Sequence, residues 1–396
     1  MNLHDLLRPV LALLLASSGL AASAQEQEQA QAPPLQLDIR EAIVHVHSHV
    51  KDAFGKDVEG EQLVTTFRPA GPGPFPLVVI SHGRNSEKRA EYKRQRYESA
   101  ARFFVRKGFA VAVPLRLGYG ELAGAGDPED SVSCNAPRYG SAIAAAGQQI
   151  LDVVLAMSGQ PDIDARHVVL VGVSVGGIST IAATSVHLPG EVAAINFAGG
   201  HGGNPDRHPG EPCQPESLRR LYGAWGGDNA KTAPPTPTLW IYAENDHYFG
   251  PRYARQWAGA YVSAGGVADL QVLPAYGEDG HKLFTTGNDI WQPRVDEFLK
   301  QQGFAQAGQL VAPASMGPLP DEAAVPPRLR EGMKKFLALK LPRVLASSDD
   351  GHWGYATGDD ALSKALAFCG RKRTGTDGPP CHLYAVDEAV VWSPQP

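Results

Sequence analysis

The stretch Val168-Val-Leu-Val-Gly172-Val-Ser174-Val-Gly176-Gly-Ile-Ser-Thr180 decides how this chain is read. A β-branched apolar run meets Gly-x-Ser-x-Gly, and helical spacing follows, so the order is strand, sharp turn, helix. Ser174 must occupy a strained turn if its hydroxyl is to stand out at the carboxyl end of the strand. Side chains at 172 and 176 would then collide with the neighbouring strand and helix, so both positions need glycine. The competing reading is a structural strand-to-helix turn that happens to carry a serine.

A serine hydroxyl is a weak nucleophile without a base to take its proton and a group to orient that base. For a nucleophile on this kind of turn the partners follow in the order Ser, Asp or Glu, His. They should sit on loops after later strands, because the carboxyl ends of parallel strands share one edge. Thr238–Ala243 reads as such a strand and runs into Glu244-Asn-Asp246, which makes Asp246 the expected acid with Glu244 as competitor. Leu270–Leu273 leads into Pro274-Ala-Tyr-Gly-Glu-Asp-Gly-His281, and His281 is the expected base. His247 adjoins the acid too closely to face it, and His201 comes too early in the chain. The oxyanion donors should be the backbone N–H groups of Val175 and of Arg84, after Ile80-Ser-His82-Gly83. His82 is read as a brace of that turn. Tyr119, Phe197, Trp240 and Tyr248 are candidates to line an acyl pocket, against the reading that they are core.

Around these points, apolar strands alternate with helical segments: Leu77–Gly83, a helix to Arg106, Phe109–Pro114, a helix over Ser141–Met157, then Val192–Phe197, Glu216–Trp225, Arg252–Ser263 and Asn288–Gln301. Such alternation predicts an α/β fold with a mostly parallel sheet covered on both faces. Two earlier strands, Leu37–Val50 and Glu61–Phe67, precede it. His45, His47 and His49 share one face of the first, as a metal site or, more ordinarily, as a solvent face. Arg84–Arg96 is a basic run, read either as steering an acidic substrate or as a solvated helix face. Residues 303–327 read as an Ala/Pro/Gly linker, and 328–396 as a small C-terminal α+β unit with no recognisable chemistry.

The 396 residues carry a formal net charge of −6, which argues against nucleic acid as the main partner. Met1–Ala24 has the form of a secretory signal: Arg8, the apolar run Val10–Leu15, and Ala22-Ser23-Ala24 as a cleavage site. The apolar run is too short to span a bilayer. Residues 25–36 form a polar tether. Four cysteines suit an oxidising compartment, with Cys369–Cys381 and Cys134–Cys213 as the favoured pairs. Their spacing is not that of a zinc site, and neither a Walker loop nor H-E-x-x-H is present, so no cofactor and no metal are expected.

His82-Gly83, the Ser174 turn, Ala243-Glu-Asn-Asp246 and Gly280-His281 together resemble the α/β-hydrolase superfamily, in its dienelactone-hydrolase-like branch, over about Leu37–Gln302. The resemblance implies an eight-stranded, mostly parallel sheet and hydrolysis through an acyl-enzyme. Dienelactone hydrolase itself uses a cysteine nucleophile where this chain has Ser174, so lactone specificity does not carry over. A secreted or periplasmic serine esterase acting on a small-molecule ester is the reading this favours. A peptidase with the same triad and a non-catalytic binding protein are the alternatives.

Overall fold

The computed structural model describes residues 35–36, 39–69, 73–186, 188–304, 316–341, 343–358, 361–371 and 378–392. The signal sequence expected over Met1–Ala24 and almost all of the tether after it lie outside these residues. From Leu37 onward the chain forms one compact unit that holds two sheets.

The larger sheet has eight strands, β1 (Ala42–Lys51), β2 (Asp57–Phe67), β3 (Phe75–Ser81), β4 (Ala110–Leu115), β5 (Ile163–Val173), β6 (Glu191–Phe197), β7 (Pro237–Ala243) and β8 (Val267–Leu273). Their spatial order is β1-β2-β4-β3-β5-β6-β7-β8. Only β2 runs against the others, being antiparallel to both β1 and β4; β3 to β8 pair in parallel. This is the α/β-hydrolase arrangement that the resemblance implies.

The central strands carry long apolar runs because both faces are covered. Leu77, Val79, Val168 and Leu170 face one layer with helices α2 (Tyr139–Ser158), α3 (Val175–Ala183), α4 (Pro215–Asn229) and α5 (Pro251–Ser263). Val78, Ile80, Val169 and Val171 face the other, with α1 (Glu98–Arg106) and α6 (Asn288–Gln301). Each fully buried Val, Leu or Ile contributes about 1.5–3 kcal/mol. The twenty-residue α2 is apolar enough to cross a bilayer by composition, but it lies along the sheet with Ile143, Ile150 and Val153 fully buried.

The second sheet, ordered β11-β10-β12-β13-β9, is antiparallel: β9 (Gly317–Pro318), β10 (Arg343–Ser347), β11 (Trp353–Thr357), β12 (His382–Val386) and β13 (Ala389–Val390). Helix α7 (Arg330–Leu337) covers one face through Met333 and Phe336. Helix α8 (Ala361–Arg371) covers the other through Leu362 and Ala365. It crosses so closely that a Cβ at Gly354 would lie 2.3 Å from the Cys369 nitrogen. Two features depart from the sequence reading. β10 was not anticipated, and the last part of the expected linker belongs to this unit, with Gly317–Pro318 paired to β13 and Val325 buried among Leu329 and Tyr384. The Cys134–Cys213 and Cys369–Cys381 disulfides are both formed.

The basic run departs in part from expectation. It forms no helix beyond the short turn Arg89–Glu91, Lys88 and Lys93 are exposed, and its arginines are paired. Arg94 and Arg96 both reach Glu41, whose carboxylate is fully buried, at 2.5–2.7 Å. Arg89 donates to the carbonyls of Gly118 and Ala123. On β1, His45, His47 and His49 are exposed, as the solvent-face reading expects, and His47 and His49 pair with Glu59, Glu61 and Asp57 of β2. Removing one partner of a buried ion pair strands the other. Glu41→Gln should therefore lower stability by about 3 kcal/mol, read as a fall in the urea midpoint at unchanged m-value.

Candidate active site

β5 ends at Val173 and α3 begins at Val175, leaving Ser174 between them at φ 59°, ψ −124°. That backbone is costly for a residue with a side chain, on the order of 1–3 kcal/mol. It is held by Ser174 N donating to the Phe197 carbonyl at 2.9 Å and by Gly200 N donating to the Ser174 carbonyl at 3.2 Å. The glycines are required by contact: a Cβ at Gly172 would lie 2.2 Å from the Gly176 carbonyl oxygen, and one at Gly176 would lie 2.2 Å from that of Ser81. Gly83 brings the next turn against the serine, since its own Cβ would meet Ser174 Cβ at 3.0 Å.

Asp246 and His281 come from the loops after β7 and β8. The buried Asp246 carboxylate accepts from the backbone N–H of Tyr248 at 2.8 Å and of Phe249 at 2.9 Å. It faces His281 Nδ1 at 3.1 and 3.0 Å. A carboxylate only accepts, so Nδ1 donates and Nε2 keeps its lone pair. Tyr248 stacks on the imidazole at 4.2 Å between centroids, and Phe249 meets it edge-on at 5.5 Å. Glu244, the competing acid, instead pairs with Arg255 at the surface.

Two residues given no role by the sequence reading join these loops. Asn245 Oδ1 accepts from Tyr276 N at 2.8 Å, its Nδ2 donates to the Gly277 carbonyl at 3.1 Å, and its own carbonyl accepts from Gly280 N at 3.1 Å. Asp279 Oδ1 accepts from the backbone N–H groups of both His247 and His281. Only the position of Asn245 beside the acid hinted at this.

Ser174, Val175, the turn residue Arg84 and Tyr248 line one cleft of about 230 Å³. Among the described residues no hydrogen bond joins Ser174 Oγ to His281. Such bonds are often long before substrate arrives, and Tyr248 spans the gap as cleft wall on one side and imidazole support on the other. Tyr119 and Phe197 are not on this wall. Tyr119 is fully buried and its hydroxyl donates to Glu129 at 2.6 Å. Phe197 sits in the core against Phe284 and Trp291, and Trp240 against Tyr222 and Tyr261.

The turn after β3 rests on buried charge. Arg84 makes a two-pronged bond to Asp127 at 2.8 Å on each side. Arg116, fully enclosed, grips Glu129 at 2.5 and 3.0 Å and donates to the His82 carbonyl at 2.9 Å. His82 Nδ1 donates to the Gly83 carbonyl at 2.7 Å, and its Nε2 accepts from Arg116 N at 3.2 Å. Burial first, and then the Arg116 charge, holds the His82 pKa well below its usual value. The imidazole is thus a neutral brace, as expected.

No family model and no curated protein matches the chain. Solved structures similar to it include a Klebsiella pneumoniae protein assigned as a dienelactone hydrolase, at 16% identity over 66% of this chain and 99% of that one, TM-score 0.41. Pyrococcus horikoshii acylaminoacyl peptidase is similar at 15% identity over 76% of this chain and 44% of its own, TM-score 0.46. Thermogutta terrifontis esterase 2 is similar at 16% identity over 62% and 91%, TM-score 0.42. The chain spans less than half of the peptidase. At these levels the likenesses carry no argument about substrate.

Two buried histidines make stability depend on pH. His82 lies well below 6.5, and burial with the nearby Arg84 charge brings His201 down to about 4. The unfolded chain therefore binds more protons than the folded one as pH falls below 6.5. Stability should be complete above that pH and decline toward pH 4, by up to about 1.4 kcal/mol per pH unit for each histidine. Urea midpoints between pH 7 and 4 measure this, and the slope should flatten in His201→Leu.

Proposed function

We propose that this chain is an exported serine hydrolase that cleaves a carboxylic ester through an acyl-enzyme. The observation that supports it best is the combination of a serine on a left-handed strand-to-helix turn with a carboxylate-bound imidazole on the same sheet edge. In this reading Ser174 Oγ attacks the ester carbonyl while His281 Nε2 takes its proton, and Asp246 holds the tautomer and balances the imidazolium. The N–H groups of Val175 and Arg84 receive the developing oxyanion. His281 then protonates the departing alkoxide and activates water, which releases the acid and restores Ser174. Residues 37–302 carry the reaction. The C-terminal unit, 328–396, is given no role beyond packing or binding, and Met1–Ala24 is removed on export to the oxidising compartment that the two disulfides suit.

Ser174→Ala and His281→Ala should each lower kcat on a short-chain aryl ester by about 10⁴-fold or more. Asp246→Asn should cost about 10⁴-fold. A fluorophosphonate probe should label the wild-type protein at Ser174 and leave the alanine variant unmodified. Near wild-type turnover by Ser174→Ala would refute the assignment. Faster cleavage of a matched peptide amide than of the ester would move the reading to a peptidase.

A further inference from the structure

His201 lies on the loop after β6 and takes no part in the reaction above. Its side chain is 5% exposed and lines the same cleft as Ser174. Its ring leans on Tyr139 at 5.0 Å between centroids. Neither ring nitrogen makes a hydrogen bond of good geometry within the protein, the Glu129 backbone being the one polar group near enough to act on the ring. Buried imidazoles are ordinarily paired, as His82 is, and an orphaned one on a ligand cleft marks a place where the partner arrives with the ligand.

We propose, on the basis of the ester hydrolysis set out above, that His201 determines specificity by hydrogen-bonding a hydroxyl group on the acyl part of a short hydroxyacyl ester. The cleft, about 230 Å³, is smaller than those that enclose drug-sized ligands, so the part of the substrate it surrounds is short. The leaving group must reach His281 for its proton, and His281 is not on this wall; the cleft therefore receives the acyl side. A neutral imidazole presents one donor and one acceptor, which is what a hydroxyl requires, and burial keeps this ring neutral above about pH 4. A carboxylate substituent would find no free cation: Arg84 is already matched by Asp127, and Asp130 lies on the wall as a like charge.

The test compares p-nitrophenyl butanoate with p-nitrophenyl 3-hydroxybutanoate. Wild-type protein should favour the hydroxylated ester in kcat/KM by roughly tenfold or more, because a site built for a hydroxyl rejects the analogue without it. His201→Leu should erase the preference and leave butanoate within about threefold, and His201→Asn should restore part of it. At pH 8 the Tm of His201→Leu should equal or exceed that of wild type, since no internal hydrogen bond of good geometry is lost. Equal losses on both esters, a lowered Tm, or a wild-type protein indifferent to the hydroxyl would overturn the assignment to His201 and leave the esterase reading standing. Turnover of both esters by Ser174→Ala would bring down the reaction itself.

Discussion

Three backbones converge at Ser174 with no room for side chains between them. β5 turns into α3 across Gly172 and Gly176, the end of β3 passes over Gly176, and Gly83 closes against the serine. The serine tolerates its left-handed conformation because β6 and the loop beyond it bind its amide and carbonyl. Ser174 is thereby held by main chain rather than by adjustable side chains. This is the form of support that electrostatic preorganisation needs.

Buried charge supplies the next layer. Arg116 with Glu129, Arg84 with Asp127, and Glu41 with Arg94 and Arg96 join loops that the sheet alone leaves unconnected. Pairs of this kind add little net stability relative to apolar packing, but losing one member is expensive. Their effect here is to fix where the turn after β3 lies. The loops that carry Asp246 and His281 are held differently, by the neutral amide of Asn245 and by Asp279, so the two halves of the candidate site have separate supports.

The parts of the chain that could be read in advance are those governed by local rules. Parallel strands buried on both faces appear as apolar runs, and the elbow needs its glycines next to the serine. Asp246 and His281 each lie on the loop that leaves a strand, and the structure joins them by a hydrogen bond. What escaped reading depends on distant partners. Glu41 lies 53 and 55 residues from Arg94 and Arg96, and without that carboxylate the basic run looks like a solvent face. Tyr119 resembles a cleft aromatic until Glu129 is seen to bind its hydroxyl. β10 is a five-residue strand whose pairing comes from both sides, too short for its own pattern to announce it.

Glu41 also marks where the folded body starts. Ile39 is already buried, and its carbonyl accepts from Arg68 N at 2.9 Å; two residues later the Glu41 carboxylate is clasped by Arg94 and Arg96. Removing residues anywhere ahead of Ile39 leaves every one of these contacts in place. A cut beyond Glu41 would release two guanidinium groups within the segment that follows the turn after β3. How far the amino terminus can be shortened is thus bounded by a carboxylate that lies outside the candidate cleft.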